Sequence, residues 1–160
     1  FDSNNAVVNS IFTMTSGNLL CLKAWRDIGK FNSDLFIDLV DTDFYVRAML
    51  KGYHVFTLRN VRMRHNLGNL EVKSFLNKKI YIYNHSYIRN YYQVRNALYL
   101  VSKYGKLYPR VFKCLFSLVK LFTSVILFEH HKLRKLQYMF LGIWHFIIKR
   151  FGKLKNTSID

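Results

Sequence analysis

Asp38, Asp41 and Asp43 stand close together in the run Phe36-Ile37-Asp38-Leu39-Val40-Asp41-Thr42-Asp43-Phe44-Tyr45-Val46-Arg47, which Lys51-Gly52-Tyr53 closes. They are three of nine acidic residues in a chain with twenty-five Lys and Arg. A basic protein that gathers carboxylates at one point has a use for them there. Asp41 and Asp43 fall at the predicted start of a short helix through Phe44, Ala48, Met49 and Leu50, with Gly52 as a left-handed stop. Unpaired N–H groups and the macrodipole favour carboxylates at such a start. A capped surface helix is one reading; a general base presented at a helix N-terminus is the other. His65 ends a predicted strand beside a Gly-containing loop, where a structural or surface role and a metal-ligand role are both open. Ser16 and Gly17 are small enough to let backbone approach a ligand, or they form a plain turn.

The elements that must position these residues read in order. Residues 6–14 mix β-branched and aromatic types and predict a strand, followed by the turn Thr15-Ser16-Gly17-Asn18. Residues 19–27 turn helical, with Gly29 as the stop, and Phe31-Asn32-Ser33-Asp34 loops into the acidic run. After Gly52, residues 54–58 and 61–65 predict two strands. Strand, turn, helix, loop, helix, strand, strand is an α/β or α+β pattern, not a bundle. There is no G-x-G-x-x-G and no P-loop. Residues 80–96 interleave Arg with Tyr, and five of the eleven tyrosines lie between Tyr81 and Tyr92. Such a surface can stack bases or sugars or bind phosphate; the alternative is a helix with half-buried Tyr rings and solvated Arg89 and Arg95. Residues 99–155 read as helical, broken near Pro109 and at His130-His131. Lys106, Lys113 and Lys120 recur every seven residues along one helical line, and Leu133, Leu136, Phe140, Ile143, Trp144 and Ile147 follow helical spacing beside Lys132, Arg134, Lys135, Lys149 and Arg150. Basic residues on apolar helices fit a membrane interface better than a spanning segment; the alternative is a helical hairpin packed on the domain.

Composition bounds the rest. A chain of 160 residues, 51% hydrophobic, is long enough to build a core. It begins with Phe, shows no signal-peptide layout and enters directly into a strand-like run, so we expect a piece of a longer protein or a truncated gene product. Cys21 and Cys114 have no metal spacing and are expected as two buried free thiols, with a disulfide between them as the weaker alternative. The net charge of +16 is uneven. Residues 1–71 hold eight Lys/Arg against seven Asp/Glu, while residues 72–160 hold seventeen against Glu129 and Asp160 alone. A balanced half is followed by one suited to an anionic surface.

Several segments, in order, resemble the C-terminal part of bacterial family 2 glycosyltransferases, in their rhamnosyltransferase-like branch. They are Thr15-Ser16-Gly17-Asn18-Leu19, Ile28-Gly29-Lys30-Phe31, the acidic run with Arg47 and Gly52-Tyr53, His65, Arg89-Asn90-Tyr91-Tyr92-Gln93-Val94-Arg95-Asn96 and Phe151-Gly152-Lys153. Many family members carry an acidic residue where Val40 stands, and Val there matches the rhamnosyltransferase branch. The resemblance implies a GT-A-like α/β fold. Residues 1–68 would be the acceptor-side half of the catalytic domain, 69–110 an Arg/Tyr-rich helical extension and 111–160 basic membrane-associated helices. The family's nucleotide-binding half, with its metal-holding D-x-D, is not in these residues, and Asp41-Thr42-Asp43 sits in the wrong context to be that motif.

The same resemblance implies inverting transfer of a sugar from a nucleotide donor, with dTDP-rhamnose as the expected donor. The acceptor would be a lipid-linked glycan of cell-surface polysaccharide synthesis, met at the cytoplasmic face of the bacterial inner membrane. Inversion in one step needs a base for the acceptor hydroxyl. By position Asp41 is that base and His65 a ligand of a divalent Mg or Mn ion shared with the N-terminal half. Ser16, Gly17, Asp43, Arg47, Arg89 and Arg95 fall on the substrate side. Asp43 is also expected to cap the helix and orient its loop, within ion-pair reach of Arg47 at i+4. The fragment alone is expected to be inactive. A non-catalytic remnant of a truncated gene and a basic nucleic-acid-binding module are the alternatives; the basic residues lie among apolar runs, which disfavours nucleic acid.

Overall fold

The longest helix, α3 (Tyr87–Tyr104), organises the structure, a computed structural model that describes residues 7–10, 15–64, 71–75 and 78–155. Ser86 caps α3, its hydroxyl accepting the Arg89 amide at 3.3 Å. Two further helices pack on it. They are α4 (Lys113–Leu127), entered through a short 3-10 turn at Pro109–Phe112, and α5 (Lys132–Ile147). Gly142 sets the crossing of α5 on α3: a Cβ there would stand 2.7 Å from the Tyr91 carbonyl, so only glycine allows this approach. Val94, Val125 and Met139 fill the space between the three helices and are fully buried.

The N-terminal part contributes α1 (Leu22–Ile28), a 3-10 turn at Ser33–Leu35 and α2 (Val40–Leu50). Val46 of α2 joins Ala97, Leu100 and Tyr104 of α3 in one cluster, and Phe44, Tyr45 and Ala48 pack with Ile28 of α1. The helix carrying the acidic run is thus clamped between α1 and α3. Among the described residues the strands are few and antiparallel. β1 (Val7–Asn9) pairs with β2 (Phe56–Leu58), Val8 opposite Thr57, and β3 (Glu71–Phe75) pairs with β4 (Lys78–Ile82), Lys73 opposite Ile80. Helices and strands are mixed, compatible with the α/β class expected.

The helical breaks at Pro109 and His130-His131 fall where the sequence puts them, as does the stop at Gly52. Several expectations need correction. Val61–64 forms no strand, because β2 pairs with β1 and no further described strand offers it a ladder. Within residues 69–110, expected as an Arg/Tyr-rich helical extension, the β3–β4 hairpin comes first and the helix begins only at Tyr87. Lys106 lies in the turn after α3, so only Lys113 and Lys120 share a helix. Cys21 is exposed, standing at the N-cap of the short α1, while Cys114 is buried as expected. Among the described residues no helix is long and apolar enough to cross a membrane.

Candidate active site

The loop that feeds α2 is strained. Phe36, Asp38 and Leu39 have φ of 62°, 60° and 62°, the left-handed region that side chains resist. Each such residue costs on the order of 1–3 kcal/mol and persists only where its surroundings hold it. Here α3 does the holding. The Asn96 side-chain amide donates to the carbonyls of Leu35, Ile37 and Asp38 at 3.0, 2.8 and 2.9 Å. The Arg95 guanidinium donates to the Asp34 and Leu35 carbonyls at 3.0 and 3.2 Å and to the Gly152 carbonyl at 2.9 Å. The Gly152 amide in turn donates to the Asp34 carbonyl. Arg95 is fully buried, and its charge also lies over the rings of Tyr91, Tyr92 and Phe151. The sequence segments 89–96 and 151–153 therefore meet the acidic loop directly.

The three clustered carboxylates have different fates. Asp38 is gripped by Arg89, whose Nε and Nη2 both approach its carboxylate at 3.0 Å. Asp43 is fully buried. It accepts Arg47 Nε at 2.9 Å and the Tyr104 hydroxyl at 2.8 Å. Burial, then the hydrogen bond to Asp43, pushes the Tyr104 hydroxyl up to about 12. Arg47 spends its remaining donors on the carbonyls of Ile28, Gly29 and Lys30 at 3.1, 2.7 and 2.9 Å. Gly29 turns there with φ of 87°. Asp41 is half-buried in the first turn of α2, and the partner described for its carboxylate is the Thr42 amide at 2.8 Å. It faces no described cation.

Tyr45 links Asp41 to the small-residue turn. Burial first, then the charge of Asp41, raise the Tyr45 hydroxyl above its ordinary range, and the bond from Asn18 opposes them. That bond runs from the Asn18 side-chain amide to the Tyr45 hydroxyl. Ser16 and Gly17 are exposed in the turn, and Gly17 has φ of 73° with the Met63 sulfur against it. Asp41, Tyr45 and the turn 15–18 thus form one face.

The structure places Arg47 and Arg95 in the scaffold, and corrects the expected cap at Asp43. Its carboxylate is held inside by Tyr104 and Arg47, Leu39 is the N-cap residue, and the loop is oriented through Arg47. Arg95 is not solvated, because a cage of carbonyls and rings replaces water around it. Arg89 remains partly exposed on the Asp38 side. His65 lies outside the described residues. Among those described, no group of three or more His, Cys, Asp and Glu could hold a metal ion. Sequence reasoning gave no separate part to Asp38, Asn96 or Tyr45. The Arg95-Asn96 pair was visible as a motif, but its carbonyl targets lie far away in the chain.

Around the helix that carries Asp41, fold and site define a mixed helix-and-strand protein whose one uncompensated carboxylate in the acidic run stands at a rigidly held helix start. Over 131 residues, 81% of its length, the chain is 32% identical to the dTDP-rhamnosyl transferase RfbF of Shigella flexneri. It spans 42% of that relative, less than half. No protein-family model and no solved structure matches the chain.

Proposed function

We propose that this chain is the acceptor-side part of an inverting, GT-A-like glycosyltransferase that transfers rhamnose from dTDP-rhamnose to a lipid-linked glycan, with Asp41 as the base. One observation carries the assignment. Of the three clustered carboxylates, Asp38 and Asp43 are neutralised by Arg89 and Arg47, and Asp41 is left with an amide partner and a half-exposed position. The likeness to a rhamnosyl transferase supports the reaction class. In the step, an acceptor hydroxyl attacks the anomeric carbon, its proton passes to the Asp41 carboxylate, and the nucleoside diphosphate leaves from the opposite face. The chain's own contribution is to hold that carboxylate still and to keep neighbouring cations paired elsewhere.

In the enzyme assembled with its donor-binding half, Asp41→Asn should lower transfer by about 10²–10⁴-fold, the usual worth of general base catalysis, with donor binding unchanged. Turnover retained in that variant removes Asp41 as base.

The acceptor class also implies a site at the cytoplasmic face of the membrane. Two exposed apolar stripes support it. Phe112, Phe116, Val119 and Ile126 line one side of the α4 segment, and Leu133, Phe140, Trp144 and Ile147 one side of α5. Lys113, Lys120 and Lys132 are exposed beside them, a layout suited to anionic lipid. Vesicles with anionic lipid should shift Trp144 emission to the blue, and neutral vesicles should do so far less.

A further inference from the structure

A cavity of about 440 Å³ opens between the β3–β4 hairpin, α3 and α4, within the range of small-ligand clefts of roughly 300–1,000 Å³. Its wall has two characters. Ala97, Leu118 and Leu121 make an apolar floor. Opposite lie Tyr81 and Tyr83, both substantially exposed, and His85, which stacks on Tyr83 with ring centroids 5.5 Å apart and planes 19° from parallel. Burial, then Arg89, hold the His85 imidazole below its ordinary range, so it presents a neutral ring. Asp38 and Glu129 bring carboxylates to the wall, each fixed by a cation, Arg89 and Lys135.

Gln93 decides the ligand class. It lines the cavity, and its side-chain oxygen is buried without a hydrogen-bond partner among the described residues. Native structures rarely leave such an acceptor dry, and a ligand hydroxyl donor would supply the missing bond. Flat aromatic faces, fixed carboxylate acceptors and a waiting amide acceptor over an apolar floor suit a molecule with a hydrophobic C–H face and a rim of hydroxyl donors.

We propose that this cavity is a carbohydrate subsite that seats a pyranose ring, with Gln93 accepting a ring hydroxyl and Tyr83 covering a ring face. That the ring belongs to the acceptor glycan rests on the function proposed above. Asp38 joins the cavity to Asp41 across three residues, a reach of at most roughly 10 Å of chain. A ring seated there lies beside the strained loop whose continuation carries the base.

The test measures binding to the 160-residue chain by saturation-transfer NMR. The probes are methyl β-D-glucopyranoside and methoxycyclohexane, a ring of similar size without hydroxyls. The glucoside is expected to bind, and the cyclohexane ether far more weakly. Gln93→Leu removes an unpaired buried acceptor, so it should fold at least as well as the native chain, yet bind the glucoside about five- to ten-fold more weakly. Tyr83→Ala, at an exposed position just after β4, should weaken it too. Equal binding of the two probes, no glucoside binding, or full affinity in Gln93→Leu would each overturn the subsite. Glucoside binding combined with undiminished transfer by Asp41→Asn would instead remove the base assignment and leave the subsite standing.

Discussion

Replacing Asn96 with Leu tests whether α3 truly holds the loop that presents Asp41. The change keeps the branched shape but removes both the amide donors and the side-chain oxygen that accepts Arg95 Nε at 3.1 Å. Three carbonyls now share that amide; Leu35 would keep Arg95, but Ile37 and Asp38 would lose Asn96. At a net of about 0.5–1.5 kcal/mol per bond, and about 1–3 for a carbonyl left dry, the gross loss is roughly 3–5 kcal/mol. Part of it returns as the left-handed residues relax, on the order of 1–3 kcal/mol for each one freed. A net destabilisation of about 2–3 kcal/mol follows. With a urea slope of about 2 kcal/mol/M, the midpoint should fall by about 1–1.5 M. Hydrogen exchange should locate the effect: amides from Phe36 to Asp43 should exchange faster, while those in the middle of α5 should change only by the global loss. A midpoint within about 0.3 M of the native value, with unchanged exchange in that segment, would refute the clasp.

The two carboxylates of α2 should separate in the same assay. Asp43→Asn breaks a buried pair and should cost about 2–3 kcal/mol, whereas Asp41→Asn should stay within about 0.5 kcal/mol. Stability should also fall at alkaline pH. Because the folded state holds the Tyr104 proton up to about 12, against about 10 when unfolded, this contribution is complete below pH 10. It is lost as pH rises to about 12, for roughly 2–3 kcal/mol, and Tyr104→Phe should abolish that step in urea titrations run from pH 9 to 12. The thiols should differ in a colorimetric thiol assay. Cys21 is exposed and its thiol is lowered by backbone hydrogen bonds at Ala24 and Lys23, so it reacts at once. Cys114 is buried in the cavity wall and its thiol is raised by burial, so it reacts far more slowly than Cys21.

What could be read from the sequence was what depends on near neighbours. Gly52 ends α2 because a left-handed residue was needed within one turn of its last apolar positions, and Asp43 pairs with Arg47 because i and i+4 share a helix face. Pro109 and His130-His131 break the helices because each interrupts a local pattern. What could not be read depends on distant partners. A buried Arg95 is stable only inside a cage built from residues 34, 35 and 152, so charge alone predicted solvent. The β3–β4 hairpin was missed because no glycine-containing turn signal stands between residues 71 and 82 and Lys78-Lys79 masks the alternation of Ile80-Tyr81-Ile82. Its attachment is also distant: Asn84 donates to Glu71 at 2.9 Å and accepts from Lys135 at 3.2 Å, tying the hairpin to α5. Asp43 was read as a cap because the first turn of a helix favours carboxylates, but the inward side of that turn meets Tyr104.

The positive charge of this chain divides by burial, and the division changes what the net charge means. Arg47, Arg95 and Lys135 serve the scaffold. Arg95 is caged by carbonyls and rings, and Lys135 is paired with Glu129 at 2.6 Å with both side chains buried. Arg134 lies over the Tyr87 ring with its guanidinium 4.3 Å from the centroid. These charges are already compensated within the fold, and none of them reaches a distant anionic surface at full strength. Among the exposed cations, Lys113, Lys120, Lys132, Lys149 and Arg150 lie on or beside α4 and α5, where an anionic bilayer would meet them. At about 1 kcal/mol per basic residue near such a surface, that subset supplies attraction of a few kcal/mol, and the exposed stripes of α4 and α5 must supply the rest by burying apolar area. Contact with lipid should therefore weaken with salt without vanishing, whereas a purely electrostatic contact, as with nucleic acid, would fall steeply with log salt. The same sorting explains Asp41. A chain this basic leaves one carboxylate of its acidic run free of a described cation because the arginines that meet the run, Arg47 and Arg89, are committed to Asp43 and Asp38.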